Sequence, residues 1–234
     1  MLRKLLLSSA ALVALAPIAL AAPAAPMAPA PAFNWSGFYV GVYGGYATGR
    51  TVATDAGDND GMPWYILGHK FSFTADSPTF GGQAGYNFQI GNIVLGPEVD
   101  AGYLSLRGSA LYGAGYTDTS VKGQSSYDVS ARARIGYAFD RALVYVTGGA
   151  VFADPGGQVI GWGGYQTPSI GAQTGWTVGG GIEYTLSQTW SLKGEYLHYD
   201  LGSKTVAFSQ GSSFKIDNSD DIFRVGLNFR FGSL

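Results

Sequence analysis

The chain has 234 residues, of which 13% are charged and 46% hydrophobic, with 36 Gly, no Cys and a formal net charge of -2. The near-neutral balance excludes a nucleic-acid binder steered by charge, and the missing Cys excludes both a disulfide framework and an N-terminal Cys lipid anchor. Disorder is excluded as well, because 15 Tyr, 13 Phe and 5 Trp demand burial against something apolar.

In chain order, Arg3 and Lys4 precede the apolar run Leu5 to Leu20, and Ala19-Leu20-Ala21 supplies the small-x-small pattern of a signal peptidase site. Residues 1–21 read as a cleaved export signal rather than a spanning helix, since Pro17 interrupts a run already short of about 20 apolar residues. Residues 22–34, with Pro23, Pro26, Pro29 and Pro31 among alanines, predict an extended periplasmic leader. The remaining domain, 35–234, has no stretch as long as a spanning helix, so crossing a membrane requires a closed barrel in which every backbone group is paired.

Segments of the length that a tilted strand needs appear near 37–47, 79–90, 93–106, 126–139, 142–152, 174–186, 190–201 and 220–231. Their connections alternate strictly. Gly91-Asn92, Asp140-Arg141 and Ser187-Gln188-Thr189 are tight turns, whereas 48–78, 107–125, 153–173 and 202–219 are long loops. Short periplasmic turns opposite long external loops predict an all-β, eight-stranded antiparallel up-and-down transmembrane barrel in the outer membrane of a Gram-negative bacterium.

Side-chain alternation tests this independently. Tyr127, Val129, Ala131, Ala133, Ile135, Tyr137 and Phe139 share one face, and Asp128, Ser130, Arg132, Arg134 and Gly136 the other. The last segment repeats the pattern with Phe223, Val225, Leu227, Phe229 and Phe231 against Arg224, Gly226, Asn228 and Arg230. Opposing Ile90 to Ile93 brings Gly85 to Glu98 and Gln83 to Asp100, and opposing Leu186 to Trp190 brings Glu183 to Lys193, all inward. The fifth segment then turns Tyr145 and Thr147 inward, while the first leaves its orientation open. Trp35, Phe38, Phe139, Trp190, Phe229 and Phe231 are expected at one aromatic rim, and Tyr103, Tyr127, Phe152 and Trp176 toward the other.

An eight-stranded barrel is just wide enough to be filled by side chains. Glu98, Asp100, Glu183 and Glu195 set against Arg132, Arg134, Lys193, Arg224 and Arg230 predict an interior charge network that plugs it, with a narrow conducting channel as the alternative. Asp55, Asp58, Asn59, Asp60 and Gly61 suggest a calcium loop, but Ala56 and Leu67 stand where an EF-hand needs acids. His69 and His198 are the only histidines, so a structural zinc site is excluded. His198 beside Glu195 and Tyr199 admits a lipid-hydrolase reading, against which no Ser stands at a telling spacing. Gly148-Gly149 and Gly179-Gly180-Gly181 lack the Lys-Ser/Thr of a phosphate loop. Neither cofactor nor catalytic residue is expected.

The opening Trp35-Ser-Gly-Phe-Tyr-Val-Gly-Val-Tyr-Gly-Gly-Tyr46 and the closing Arg224-Val-Gly-Leu-Asn-Phe-Arg-Phe231 resemble the outer-membrane immunogenic protein family, porin-like barrels related to opacity-type surface antigens. The resemblance implies surface exposure, a role in envelope integrity or host contact, and in some members heme binding, for which Tyr65 or His69 are the conceivable axial groups. It also implies that Phe223, Leu227, Phe229 and Phe231 form the signal read by the barrel-assembly machinery, although Gly232-Ser233-Leu234 follow the last Phe. The partners expected are that machinery, outer-membrane lipid and lipopolysaccharide, and a host or environmental ligand at the loops.

Overall fold

A computed structural model describes residues 33–56, 68–104, 109–111, 120–122, 126–154, 158–160, 171–207 and 213–231. The export signal and most of the leader expected in residues 1–32 lie outside that set, as do Asp58, Asn59, Asp60, Gly61 and Tyr65. Among the described residues no helix is long and apolar enough to cross a membrane.

Among the described residues eleven strands are present: β1 Gly37–Asp55, β2 Lys70–Ile90, β3 Ile93–Leu104, β4 Ser109–Leu111, β5 Ser120–Lys122, β6 Ser126–Phe139, β7 Ala142–Ala153, β8 Gln158–Ile160, β9 Gln173–Thr185, β10 Trp190–Ala207 and β11 Ser213–Arg230. Eight of them close into an antiparallel barrel in the order β1-β11-β10-β9-β7-β6-β3-β2, and β4, β5 and β8 form a separate three-stranded sheet. The expected register holds at the first and third tight turns: Ile90 faces Ile93, Gly85 faces Glu98 and Gln83 faces Asp100, while Glu183 faces Lys193. Gly91 (φ 60°) and Asp140 (φ 54°) turn the chain through the left-handed region, a conformation a two-residue hairpin loop requires.

The outward face is apolar over a limited height. On β11 it runs from Phe231 to Phe223 and changes at Asp221; on β1 it runs from Phe38 to Tyr46 and changes at Thr48. Eight residues rise roughly 27 Å along a strand, or about 20 Å at the usual tilt, close to the apolar band of an outer-membrane barrel. A charge inside that band would be costly, and the chain places none on this face between those limits.

Four strands are longer than the sequence suggests. β1 pairs β2 as far as Thr54 opposite Lys70, and β11 pairs β1 as far as Phe214 opposite Asp55, so much of 48–78 and 202–219, expected as loop, is strand. The reason is physical: beyond the hydrocarbon the outward residues are mostly polar, Thr48, Arg50 and Thr54 on β1 around Val52 and Lys70, Ser72, Thr74 and Asp76 on β2, and polar-outward strand carries no membrane signature. Together β2, β1, β11 and β10 raise a four-stranded wall above the rim at which β3, β6, β7 and β9 end. β10 leaves β9 at Asp200, where a bulge between Asp200 and Ser203 includes Gly202 at φ 67°.

Candidate functional site

β1, whose orientation the sequence leaves open, points Tyr39, Tyr43 and Ala47 inward. Those rings need room, and inward glycines on other strands provide it. A Cβ on Gly85 would collide with the Tyr39 hydroxyl, one on Gly81 would lie 2.5 Å from the Tyr43 hydroxyl, and one on Gly181 would lie 2.7 Å from that of Tyr145. Glycine in these strands is therefore the complement of inward tyrosine.

Three layers fill the lumen. At the end with the tight turns, Phe33, Trp35, Val94, Ala138, Leu143 and Tyr145 form an apolar cluster. Trp35 is fully buried there, which corrects its expected place on the lipid-facing rim. Its indole N–H donates to the Asp140 carbonyl at 2.9 Å and its backbone N–H to Gln89 Oε1 at 2.6 Å, while the Phe33 N–H donates to Asp140 Oδ1 at 2.9 Å. Phe33 and Trp35, just before β1, thus fill the barrel mouth. At the opposite end Ala47, Leu104, Val151, Ala153, Leu197, Tyr199, Leu201 and Ile222 form a second apolar cluster.

Between them lies a network of buried charges. Arg132 Nη2 contacts Glu98 Oε1 and, at 2.8 Å, Asp100 Oδ2, and its Nη1 lies 3.3 Å from Glu195 Oε1. Arg134 reaches Glu183 at 3.1 Å and Glu98 at 3.5 Å, donates twice to Asn87 Oδ1, and stacks its guanidinium 4.5 Å from the Tyr39 ring centre. Lys193 Nζ lies 3.1 Å from Glu98 Oε2 and 3.6 Å from Glu195 Oε2. Arg224 contacts Glu195 at 2.6 Å and Asp100 at 3.0 Å, over the Tyr43 ring. Neutral side chains complete the shell: Tyr39 and Tyr145 donate to Glu98 and Glu195 at 2.7 and 2.8 Å, and Ser130 to Asp100 and Ser191 to Glu183 at 2.5 Å.

The structure brings together eight of the nine expected charges, four acids with four bases. Arg230 stands apart, a correction to the sequence reading. It stacks 4.7 Å from the Phe33 ring centre and 5.2 Å from that of Trp35, and donates to the Asn34 carbonyl at 2.9 Å. Parity alone gives its face but not its height, and at the barrel end aromatic rings meet it instead of carboxylates.

Two buried carboxylates were not foreseen as functional, Asp128 and Asp220. Asp220 lies beyond the hydrocarbon, outward of Phe223; burial, with the neighbouring Asp128 and Asp221 carboxylates adding to it, pushes its pKa up to about 7. On the outward face at the same height, Asp221 Oδ1 accepts from the Tyr196 hydroxyl at 2.6 Å and lies 2.8 Å from His198 Nδ1, and these two contacts hold its carboxyl below the usual range. His198 therefore points away from Glu195 and Tyr199, which face the lumen. The constellation imagined for a hydrolase is split between two faces of the wall. Phe223 and Phe231 are exposed on the lipid side with Leu227, and Phe229 is half-buried between Trp190 and Phe231.

The closed barrel agrees with the family to which the sequence is similar. The family model described as "Outer membrane protein beta-barrel domain" matches residues 13–231. The 31 kDa outer-membrane immunogenic protein of Brucella melitensis is 33% identical over 218 residues, 87% of this chain and 86% of that one. The chain belongs to the outer-membrane immunogenic protein family. The 25 kDa outer-membrane immunogenic protein of the same organism is 30% identical over 240 residues, covering 98% of this family member and 99% of its relative. Among solved structures, the outer membrane protein OprG of Pseudomonas aeruginosa aligns with a TM-score of 0.51 at 10% identity, over 85% of this chain and 97% of that one, a likeness of fold. The protein is an outer-membrane β-barrel surface protein.

Proposed function

We propose that this family member is a filled, non-conducting barrel that contributes to envelope integrity and presents its raised wall and loops to host or environmental contacts, with no catalytic role. One observation carries this reading: the middle of the lumen is filled by buried side chains in which four acids are paired with four bases, with a buried apolar cluster toward either end. An ion entering would have to leave water and displace charges already matched, and both steps are expensive in a low-dielectric interior. The outward aromatic residues of β11 are the features that the barrel-assembly machinery would read, and the apolar belt is the surface that outer-membrane lipid and lipopolysaccharide would cover.

Planar-bilayer recording of the refolded protein tests the reading. Silence at concentrations where insertion is verified is the expected result. Stepwise currents that disappear when Arg132 or Glu98 is neutralised would instead assign a small porin.

A further inference from the structure

The four acids and four bases of the central network balance, which leaves Asp128 and Asp220 as surplus. Both are buried, and among the described residues neither has a Lys, Arg or His nitrogen within ion-pair distance. Three buried oxygens on this side of the lumen have no hydrogen-bond partner: Asp128 Oδ1, the Tyr43 hydroxyl and Thr177 Oγ1. Two of them converge on one point. A Cβ at Gly102 would lie 2.9 Å from Asp128 Oδ1 and closer still to the Tyr43 hydroxyl, so both atoms pack side by side against the Gly102 backbone, in the room that a side chain there would take.

The surrounding walls follow from the register. Asp220 of β11 stands opposite Tyr199 of β10, and Tyr199 opposite Thr177 of β9, so three inward oxygen-bearing side chains form a row. Gly49 and Gly149 stand at the two ends of that row. Across the lumen the Tyr199 hydroxyl reaches Asp128 Oδ2 at 3.3 Å, tying the row to the carboxylate that borders the Gly102 space. Every donor here is oxygen. Two are carboxylates, which a bound cation would hold in the charged form, the rest are phenol or alcohol oxygens, and hard divalent cations take such ligands in irregular geometry.

We propose that the outer half of the lumen binds one hard divalent cation of the calcium type, with Asp128 and the Tyr43 hydroxyl as direct ligands beside Gly102 and Asp220 supplying the second charge. The site rests on the filled-barrel reading only in that the central network is already neutral and has no cation to lend. An ion bound there would tie β1, β6 and β11 together at the height where the shorter strands end.

The test uses the full mature chain refolded in detergent, with calcium as the probe, read by isothermal titration and by the unfolding temperature in calcium against EDTA. The wild type is expected to bind one calcium per barrel and to unfold at a higher temperature when it is present. Asp128→Asn is expected to abolish that binding and Asp220→Asn to weaken it about tenfold or more, while Asp76→Asn on the outward wall leaves it unchanged. Gly102→Ala pushes the Tyr43 hydroxyl away from Asp128 with both carboxylates intact and is expected to abolish binding as well. Absence of saturable binding by the wild type, or binding that survives in both Asp128→Asn and Gly102→Ala, overturns the site; survival there would place calcium on the acidic first loop instead. Conductance of the wild type in a bilayer would overturn the filled-barrel reading without touching these outcomes.

Discussion

Replacing Lys193 with Met would test the central network most directly. The ammonium is fully buried and stands between Glu98 and Glu195, so its loss leaves four carboxylates facing three guanidinium groups. Removing one partner of a buried pair costs about 3–5 kcal/mol, and the geometry decides where in that range this variant falls. Glu98 keeps Arg132 and Arg134, and Glu195 keeps Arg132 and Arg224, which puts the loss near 3 kcal/mol. Arg132 is shared by Glu98, Asp100 and Glu195, so Arg132→Met should lie nearer 5 kcal/mol on the same scale. Urea unfolding in detergent, scored by the mobility of the folded barrel on a cold gel, should show midpoints lowered in that order, by roughly 1–2 M for Lys193→Met. The double variant Lys193→Met/Glu195→Gln restores neutrality and should recover part of the loss. A Lys193→Met midpoint equal to wild type, or a double variant that costs the sum of its two singles, would refute the claim that charge balance holds this layer together.

Other expectations concern single positions. Gly45→Val would drive a Cβ onto the Phe223 carbonyl and to within 2.9 Å of Arg224 Cβ, so the closed form should be lost from the gel, whereas Gly82→Val, whose nearest neighbour is the Gly41 carbonyl at 3.7 Å, should fold. Trp35→Ala empties the mouth cluster and removes a stacking surface from Arg230; the cost, about 3–5 kcal/mol for a buried aromatic side chain, should appear as a lower urea midpoint. The Asp220 carboxyl holds its proton up to about pH 7 in the folded barrel and only to about 4 when unfolded. In EDTA, stability should therefore fall as pH rises between those values, and Asp220→Asn should flatten that part of the profile relative to wild type.

The sequence and the structure agree where lipid imposes alternation. Between Tyr127 and Phe139 every second residue must be apolar, so face, register and turn can all be read from spacing, and the inward charges follow from exclusion. That logic weakens where both faces carry similar residues. In β1, Phe38 and Tyr39 are both aromatic and glycine occurs at either parity, so only the matching of inward tyrosine to glycines on other strands fixes which face is which. It also fails outside the membrane, where the wall of β1, β2, β10 and β11 has polar outward residues and reads as loop. Heights within the lumen are set by barrel shear, which no single strand records; for this reason Arg230 could be assigned to the correct face and still be grouped with the wrong partners.

Strand length bears on how the barrel is held shut. The seam between the first and last strands joins the segments farthest apart in the chain, and in a short up-and-down barrel it would be the natural place to open. Here it is the most extensive of the ladders together with that between β1 and β2, running from Tyr39 opposite Arg230 to Asp55 opposite Phe214. Half of it lies in the wall above the hydrocarbon, where water competes for backbone hydrogen bonds, and half in lipid, where an unpaired N–H or C=O has nothing to turn to. The seam is also held by side chains from within. Arg224, on the seam, ties to Glu195 and to Asp100 across the lumen, and Tyr39, on its other side, donates to Glu98. Closure and filling thus support one another: Arg224 of β11 reaches Asp100 of β3 across the lumen and Tyr39 of β1 reaches Glu98 of β3, so both strands of the seam are braced by the charges that fill the barrel.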